Sequence, residues 1–166
     1  MTSRIPVFLC GELDHCDDGA PFRAIRLLPP KVRARAHLIH PGQLDPARMR
    51  EAARSPCIIV DAVTGIEPGS IIELPLSDIV AMSRARARHS ANPSARPSRE
   101  LVLEQTMALV ELLRAAPPAG RFLGIGMGDS GPGETLSAAV AFGVPALAAR
   151  LAAAIEELDH AEALPC

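Results

Sequence analysis

The chain has neither tryptophan nor tyrosine and only four phenylalanines among its 166 residues. Single-stranded nucleic acid is gripped by stacking its bases on aromatic faces, so a nucleic-acid partner is not expected. Lysine is nearly absent as well: of the 17 basic residues only Lys31 is not arginine, which together with the abundance of alanine reflects genome composition more than function. The formal charge of -2 exerts no general pull toward polyanions. The four cysteines, Cys10, Cys16, Cys57 and Cys166, form no CxxC pair, and Cys10 and Cys57 lie in apolar runs. They are expected to be reduced and mostly buried thiols rather than a disulfide framework. No apolar run reaches the roughly 18 residues of a membrane span, and the N-terminal apolar stretch is too short for a signal peptide. The expectation is a cytoplasmic protein without a membrane partner, and a monomer.

What is present is an ordinary globular composition, 48% hydrophobic and 22% charged, in a length suited to a single domain over residues 1–166. The strongest strand signal is Cys57-Ile58-Ile59-Val60, apolar on both faces, as a strand of a covered parallel sheet must be. Residues 5–10 and 121–127 have the same character, and residues 36–39 form a shorter candidate. After Cys57 the turn signals Thr64-Gly65 and Pro68-Gly69 predict a hairpin-like return into an edge strand within SIIELPL. Helices are predicted from Phe22 to Leu28, stopping before Pro29-Pro30, and from Asp45-Pro46 onward. A helical turn follows at residues 77–82, and helical spacing of apolar residues extends over 100–114 and 136–158, the last with Gly143 and Pro145 as points of expected adjustment. Alternating strands and helices argue for an α/β fold: a three-layer α/β/α sandwich on a mainly parallel twisted sheet of about five strands.

Three stretches carry chemistry. Asp61 ends the Cys57 strand, and in open α/β sheets ligands collect beyond the carboxyl ends of strands; the alternative is that it simply turns the chain. Past the first strand, GELDHCDDG holds Glu12, Asp14, His15, Asp17 and Asp18, far more charge than a connection requires. If the first and Cys57 strands are neighbours, Asp18 and Asp61 meet above the sheet and can hold a divalent ion or orient water for hydrolysis. Otherwise Asp17 and Asp18 cap the helix after Gly19. The glycine-rich GIGMGDSGPGETLS at residues 124–137 has neither the position of a dinucleotide fingerprint nor the Gly-Lys-Ser/Thr of a P-loop. A structural loop with Thr135 or Ser137 capping the last helix is favoured over a phosphate cradle. Residues 83–99 hold five Arg, two Pro and no acid, and suit a mobile loop that docks a protein partner. His89 within it is a metal ligand, a titrating switch or merely exposed.

In order, these segments resemble the hydrogenase maturation endopeptidases, which trim the C-terminal tail of the nickel-iron hydrogenase large subunit. The resemblance rests on VFLCGELDHCDDG, the glycine turn at Gly42, IIVDAVTGIEPGSIIEL, FLGIGM and the Leu136-Ser137 entry into the last helix. It spans nearly the whole chain, each piece being weakly specific and the order more so. It implies a protease with no cofactor of its own that contacts the nickel already held by the hydrogenase large-subunit precursor. Two carboxylates of the family site fall on Asp18 and Asp61. The histidine that completes the family's ligand set falls on Arg99, which has no free lone pair to ligate a metal, and the family's Asn after the first glycine is Glu12. The third ligand is then His89 from the neighbouring loop, or His15 or Glu12 from the first loop, or the site is degenerate; Arg99 can instead attract the precursor's terminal carboxylate. The expected site is Asp18 and Asp61 as catalytic and metal-facing residues, with His89 as third ligand. The rival readings are a non-enzymatic hydrogenase-assembly protein and, less favoured, a nucleotide-binding enzyme using the 124–133 loop.

Overall fold

A computed structural model of the chain describes residues 4–40, 56–79, 81–82 and 119–163. The expectations that fall on the Asp45-Pro46 helix, the Arg-rich stretch with His89 and Arg99, the helix at 100–114 and Cys166 lie outside the described residues.

Among the described residues five strands form one sheet: β1 (Ile5–Leu9), β2 (Ala36–Ile39), β3 (Cys57–Val63), β4 (Ile71–Pro75) and β5 (Gly120–Gly126), in the order β2-β1-β3-β5-β4. The β2-β1, β1-β3 and β3-β5 pairs are parallel, and β4 alone runs antiparallel at the edge. The fold class is α/β, as the alternation of strand and helix signals predicts. β3 is buried at all seven positions, Asp61 included, in keeping with the lack of a polar face over Cys57–Val60. The hairpin-like return is corrected in one respect: β4 does turn back at the edge, yet its antiparallel partner is β5 and not β3. β5 is buried along Phe122–Gly126 and takes the covered place between them, while half-exposed β4, ending in Pro75, stays at the rim where a missing N–H costs little.

Alternation of side chains along the strands divides the core. On one face Ile5, Val7, Leu9, Ile58, Val60, Leu123 and Ile125 pack against α1 (Ala20–Arg26) and the long α3 (Ala138–Ala163). On the other, Phe8, Cys10, Cys57, Ile59, Val63 and Phe122 pack with Leu76 and Ile79 of the helical turn after β4. A short α2 (Pro30–Arg33), not foreseen, follows the Pro29-Pro30 stop and reuses Pro30 as its first residue, where a missing N–H is harmless. By length and composition α3 is apolar enough to cross a membrane, although Arg150 interrupts its apolar run. Its buried stripe, Val140, Val144, Leu147, Leu151 and Ile155, instead covers the sheet. Pro145 leaves α3 continuous from Ala138 to Ala163. Gly69 (φ +82) and Gly143 let the β3–β4 loop cross α3 backbone to backbone; a Cβ on Gly69 would strike the Ala139 carbonyl, and one on Gly143 the Gly69 carbonyl.

Candidate functional site

The sheet order creates one topological switch point. From β1 the chain crosses to β2 on one side and from β2 to β3 on the other, so the connections leave β1 and β3 in opposite directions and open a crevice beyond their carboxyl ends. The Cys10 amide donates to the Val60 carbonyl (2.9 Å), continuing the β1–β3 register and bringing the chain out of the sheet beside Asp61. The chain then passes Gly11 into a 3₁₀ turn, Cys16–Gly19, that packs against β3. Asp18 sits on this turn with 1% of its surface exposed, and Asp61 on β3 with 6%. Both predicted carboxylates thus stand buried at the switch point, on neighbouring elements.

Local chemistry fixes each. Asp18 donates its amide to the His15 carbonyl (2.9 Å), and its Oδ2 accepts the Glu12 amide (2.9 Å), drawing the loop over the side chain. The chain fits there because residue 11 is glycine: its φ is +109, and a Cβ would run into the Asp18 carbonyl. The Asp61 Oδ1 accepts the amide of Ala62 (2.9 Å). Ala62 and Val63 follow Asp61 within β3, so the strand extends two residues past the acid that the sequence places at its end.

Asp17 has another task, which the sequence did not separate from that of Asp18. It is fully buried, and its carboxylate accepts four hydrogen bonds: from the amides of Gly128 (3.0 Å), Asp129 (2.9 Å) and Ser137 (2.6 Å), and from the Ser137 hydroxyl (3.0 Å). Burial pushes the Asp17 carboxyl up, but the Asp129, Ser137 and Gly128 amides and the Ser137 hydroxyl outweigh it and hold the group below the ordinary aspartate range. The capping expectation is corrected accordingly. Gly19 is the N-cap of α1, and neither that helix nor the 3₁₀ turn receives a side-chain cap. Ser137 does precede α3 and accepts the first helical bond at its carbonyl, from Ala141 (2.9 Å), but its hydroxyl serves Asp17. The glycine-rich loop is therefore an anion nest whose anion is internal, which accounts for its resemblance to a phosphate cradle without the residues one requires.

Further backbone bonds tie the two loops together: Cys16 N–H to the Gly133 carbonyl, Asp17 N–H to the Asp129 carbonyl (3.0 Å) and Gly133 N–H to the Asp14 carbonyl (2.7 Å). Cys16 takes a left-handed φ of 40 between them. Burial, with the Asp129 and Asp17 charges nearby, raises its thiol pKa.

His15 turns outward. Its Nδ1 lies 2.9 Å from Glu12 Oε2 and 3.1 Å from Asp14 Oδ1, and this contact lowers the Asp14 carboxyl. Among the described residues, the one set of three or more potential ligand atoms within 4.8 Å of one another is Glu12, Asp14 and His15. It contains neither Asp18 nor Asp61, so in this conformation the first loop does not complete a triad with the pair. Cys10 and Cys57 are buried and free of disulfides, as expected, and Cys16 is half-buried.

A mainly parallel α/β sheet with two carboxylates at its switch point defines a class of protein whose chemistry sits on the loops of one sheet edge. Within that class, the fold is that of the hydrogenase maturation proteases. The chain superposes on the NiFe hydrogenase maturation protease HybD of Thermococcus kodakarensis with a TM-score of 0.62, at 20% identity over 89% of this chain and 95% of that one. On the hydrogenase maturating endopeptidase HybD of Escherichia coli the TM-score is 0.64, at 15% identity over 93% of each chain. A structure of the hydrogenase 3 maturation protease gives 0.60 at 22% identity, covering 90% and 89%. No protein-family model matches the sequence, and no curated protein does.

Proposed function

We propose that this protein is an endopeptidase of the hydrogenase maturation type, removing the C-terminal extension of a nickel-iron hydrogenase large-subunit precursor. The observation that carries the reading is the pair Asp18 and Asp61, each buried, on adjoining elements at the topological switch point of this fold. In this reading the nickel belongs to the substrate. Asp18 and Asp61 read it, and the polarised peptide bond beside it is attacked by water. His89 supplies the third ligand in place of the histidine that Arg99 replaces, and the protein acts in the cytoplasm as a monomer.

The test is direct. Nickel-loaded precursor is incubated with the protein, and the mass of the large subunit is followed. Loss of the tail with the wild type, absent with Asp18→Asn and Asp61→Asn, is expected; His89→Ala reduces cleavage and Arg99→Ala does not. Arg99 favours a second reading, an assembly protein that docks the precursor without cutting it. Binding without loss of tail, indifferent to both Asp substitutions, would establish that reading and retire the protease.

A further inference from the structure

Asp17 is a fully buried carboxylate that the cleavage just described leaves unused. All four donors to it come from the β5–α3 loop and the start of α3, more than 100 residues away in sequence. Its neighbour Asp18 is the carboxylate of the proposed site, and the two are consecutive residues of one buried 3₁₀ turn. Displacing Asp17 from its nest therefore displaces Asp18. Asp18 is held on its other side by the Glu12 amide, so the turn is gripped from both loops.

We infer that Asp17 is a positioning residue: it is the resident anion of the nest formed by Gly128, Asp129 and Ser137, and by filling that nest it sets where Asp18 meets the metal. This deepens the proposed function and rests on Asp18 being metal-facing. It assigns the glycine-rich loop a role in the site although none of the loop's side chains need touch substrate. Residues that orient ligands from behind typically change metal affinity by roughly 10- to 100-fold when altered.

The test is calorimetric titration with Ni²⁺ alone, in a His15→Ala background so that the exposed Glu12–Asp14–His15 cluster adds nothing. Asp18→Asn abolishes binding at the pair. Asp17→Ala weakens it by roughly 10- to 100-fold. Sodium formate, a free carboxylate small enough for the emptied nest, restores it toward the formate-treated parent, whereas sodium chloride at equal ionic strength does not. A role confined to overall stability predicts no such rescue. Ser137→Ala, which keeps every backbone donor, weakens binding in the same direction by a smaller factor and serves if Asp17→Ala does not fold by circular dichroism. Parent-like Ni²⁺ affinity in Asp17→Ala and Ser137→Ala, with Asp18→Asn inactive, overturns the positioning role alone, as does weak binding that formate leaves unchanged. Parent-like affinity in both Asp18→Asn and Asp61→Asn retires the metal-reading site itself, and the positioning role with it.

Discussion

Asp17→Asn should be among the most damaging isosteric changes available in this protein, although it removes no atom of bulk. The carboxylate takes the Ser137 amide on Oδ1 and the Gly128 amide, Asp129 amide and Ser137 hydroxyl on Oδ2. An asparagine must put its NH₂ on one of these sides. On the Oδ2 side it opposes three donors; on the Oδ1 side it opposes one, so the side chain adopts the latter and leaves the Ser137 N–H without an acceptor, at about 1–3 kcal/mol. The three bonds that survive fall from charge-assisted to neutral strength, a loss of about half each. Gly128 and Asp129 are exposed and water offsets part of this. The net expectation is about 3 kcal/mol, a large share of the roughly 5–15 kcal/mol that holds a domain folded. At roughly 2–4 °C per kcal/mol for a chain of this size, the melting temperature falls by about 6–12 °C. Urea unfolding at neutral pH measures it, and acidification supplies a second check. The folded Asp17 carboxyl lies below its unfolded value of about 3.9. Its contribution is therefore complete above that value and is lost as pH falls through the folded pKa. The gap between wild type and Asp17→Asn should narrow over that acidic window only. A difference under about 0.5 kcal/mol at pH 7, the ordinary scatter of surface changes, would refute the clamp, and so would a gap indifferent to acid.

Other perturbations separate structural demands from tolerant ones. Gly69→Ala should cost more than about 2 kcal/mol in thermal melts, since it meets both a left-handed backbone and the Ala139 carbonyl; Gly143→Ala fails on close approach alone. Arg35→Ala, which removes a partly exposed surface ion pair with Asp159 at 3.2 Å, should change stability by less than about 1 kcal/mol in urea unfolding. In a Cys166→Ser background, Cys16 should react with a thiol reagent more slowly at neutral pH than free cysteine because its thiol pKa is raised, and Cys10 and Cys57 should react only on unfolding.

The elements legible in the sequence were those whose pattern has one physical meaning. β1, β2, β3 and β5 are short apolar runs bounded by turn residues, and each lies within a residue or a few of its predicted span. In the sequence Asp61 looks like the end of β3, whereas the strand carries it as a buried acid and continues to Val63. The pairing of β4 is not legible in the sequence because a turn fixes direction and not partner: Thr64-Gly65 and Pro68-Gly69 reverse the chain, but β5, about 50 residues later, takes the intervening place. Of the site, the two carboxylates and their shared edge were foreseeable from the order of the strands. The outward turn of His15 was not, since nothing in GELDHCDD says which side of the loop its imidazole takes.

Two adjacent acids before a glycine look interchangeable in sequence, and the same nest explains why they are not. A glycine-rich loop at a strand end followed by a helix supplies converging N–H groups, which buried and unfilled would cost free energy. Such a loop implies an anion, and spacing alone rejects an external phosphate without naming the substitute. The Asp17 carboxylate, drawn across from the first strand's loop, is that substitute. With Asp17 committed there, Asp18 is the acid of the turn that the proposed function pairs with Asp61. The two acids should therefore not be interchangeable: exchanging Asp18 for asparagine spares the nest and strikes the proposed site, while exchanging Asp17 strikes the nest and reaches the proposed site only through its neighbour.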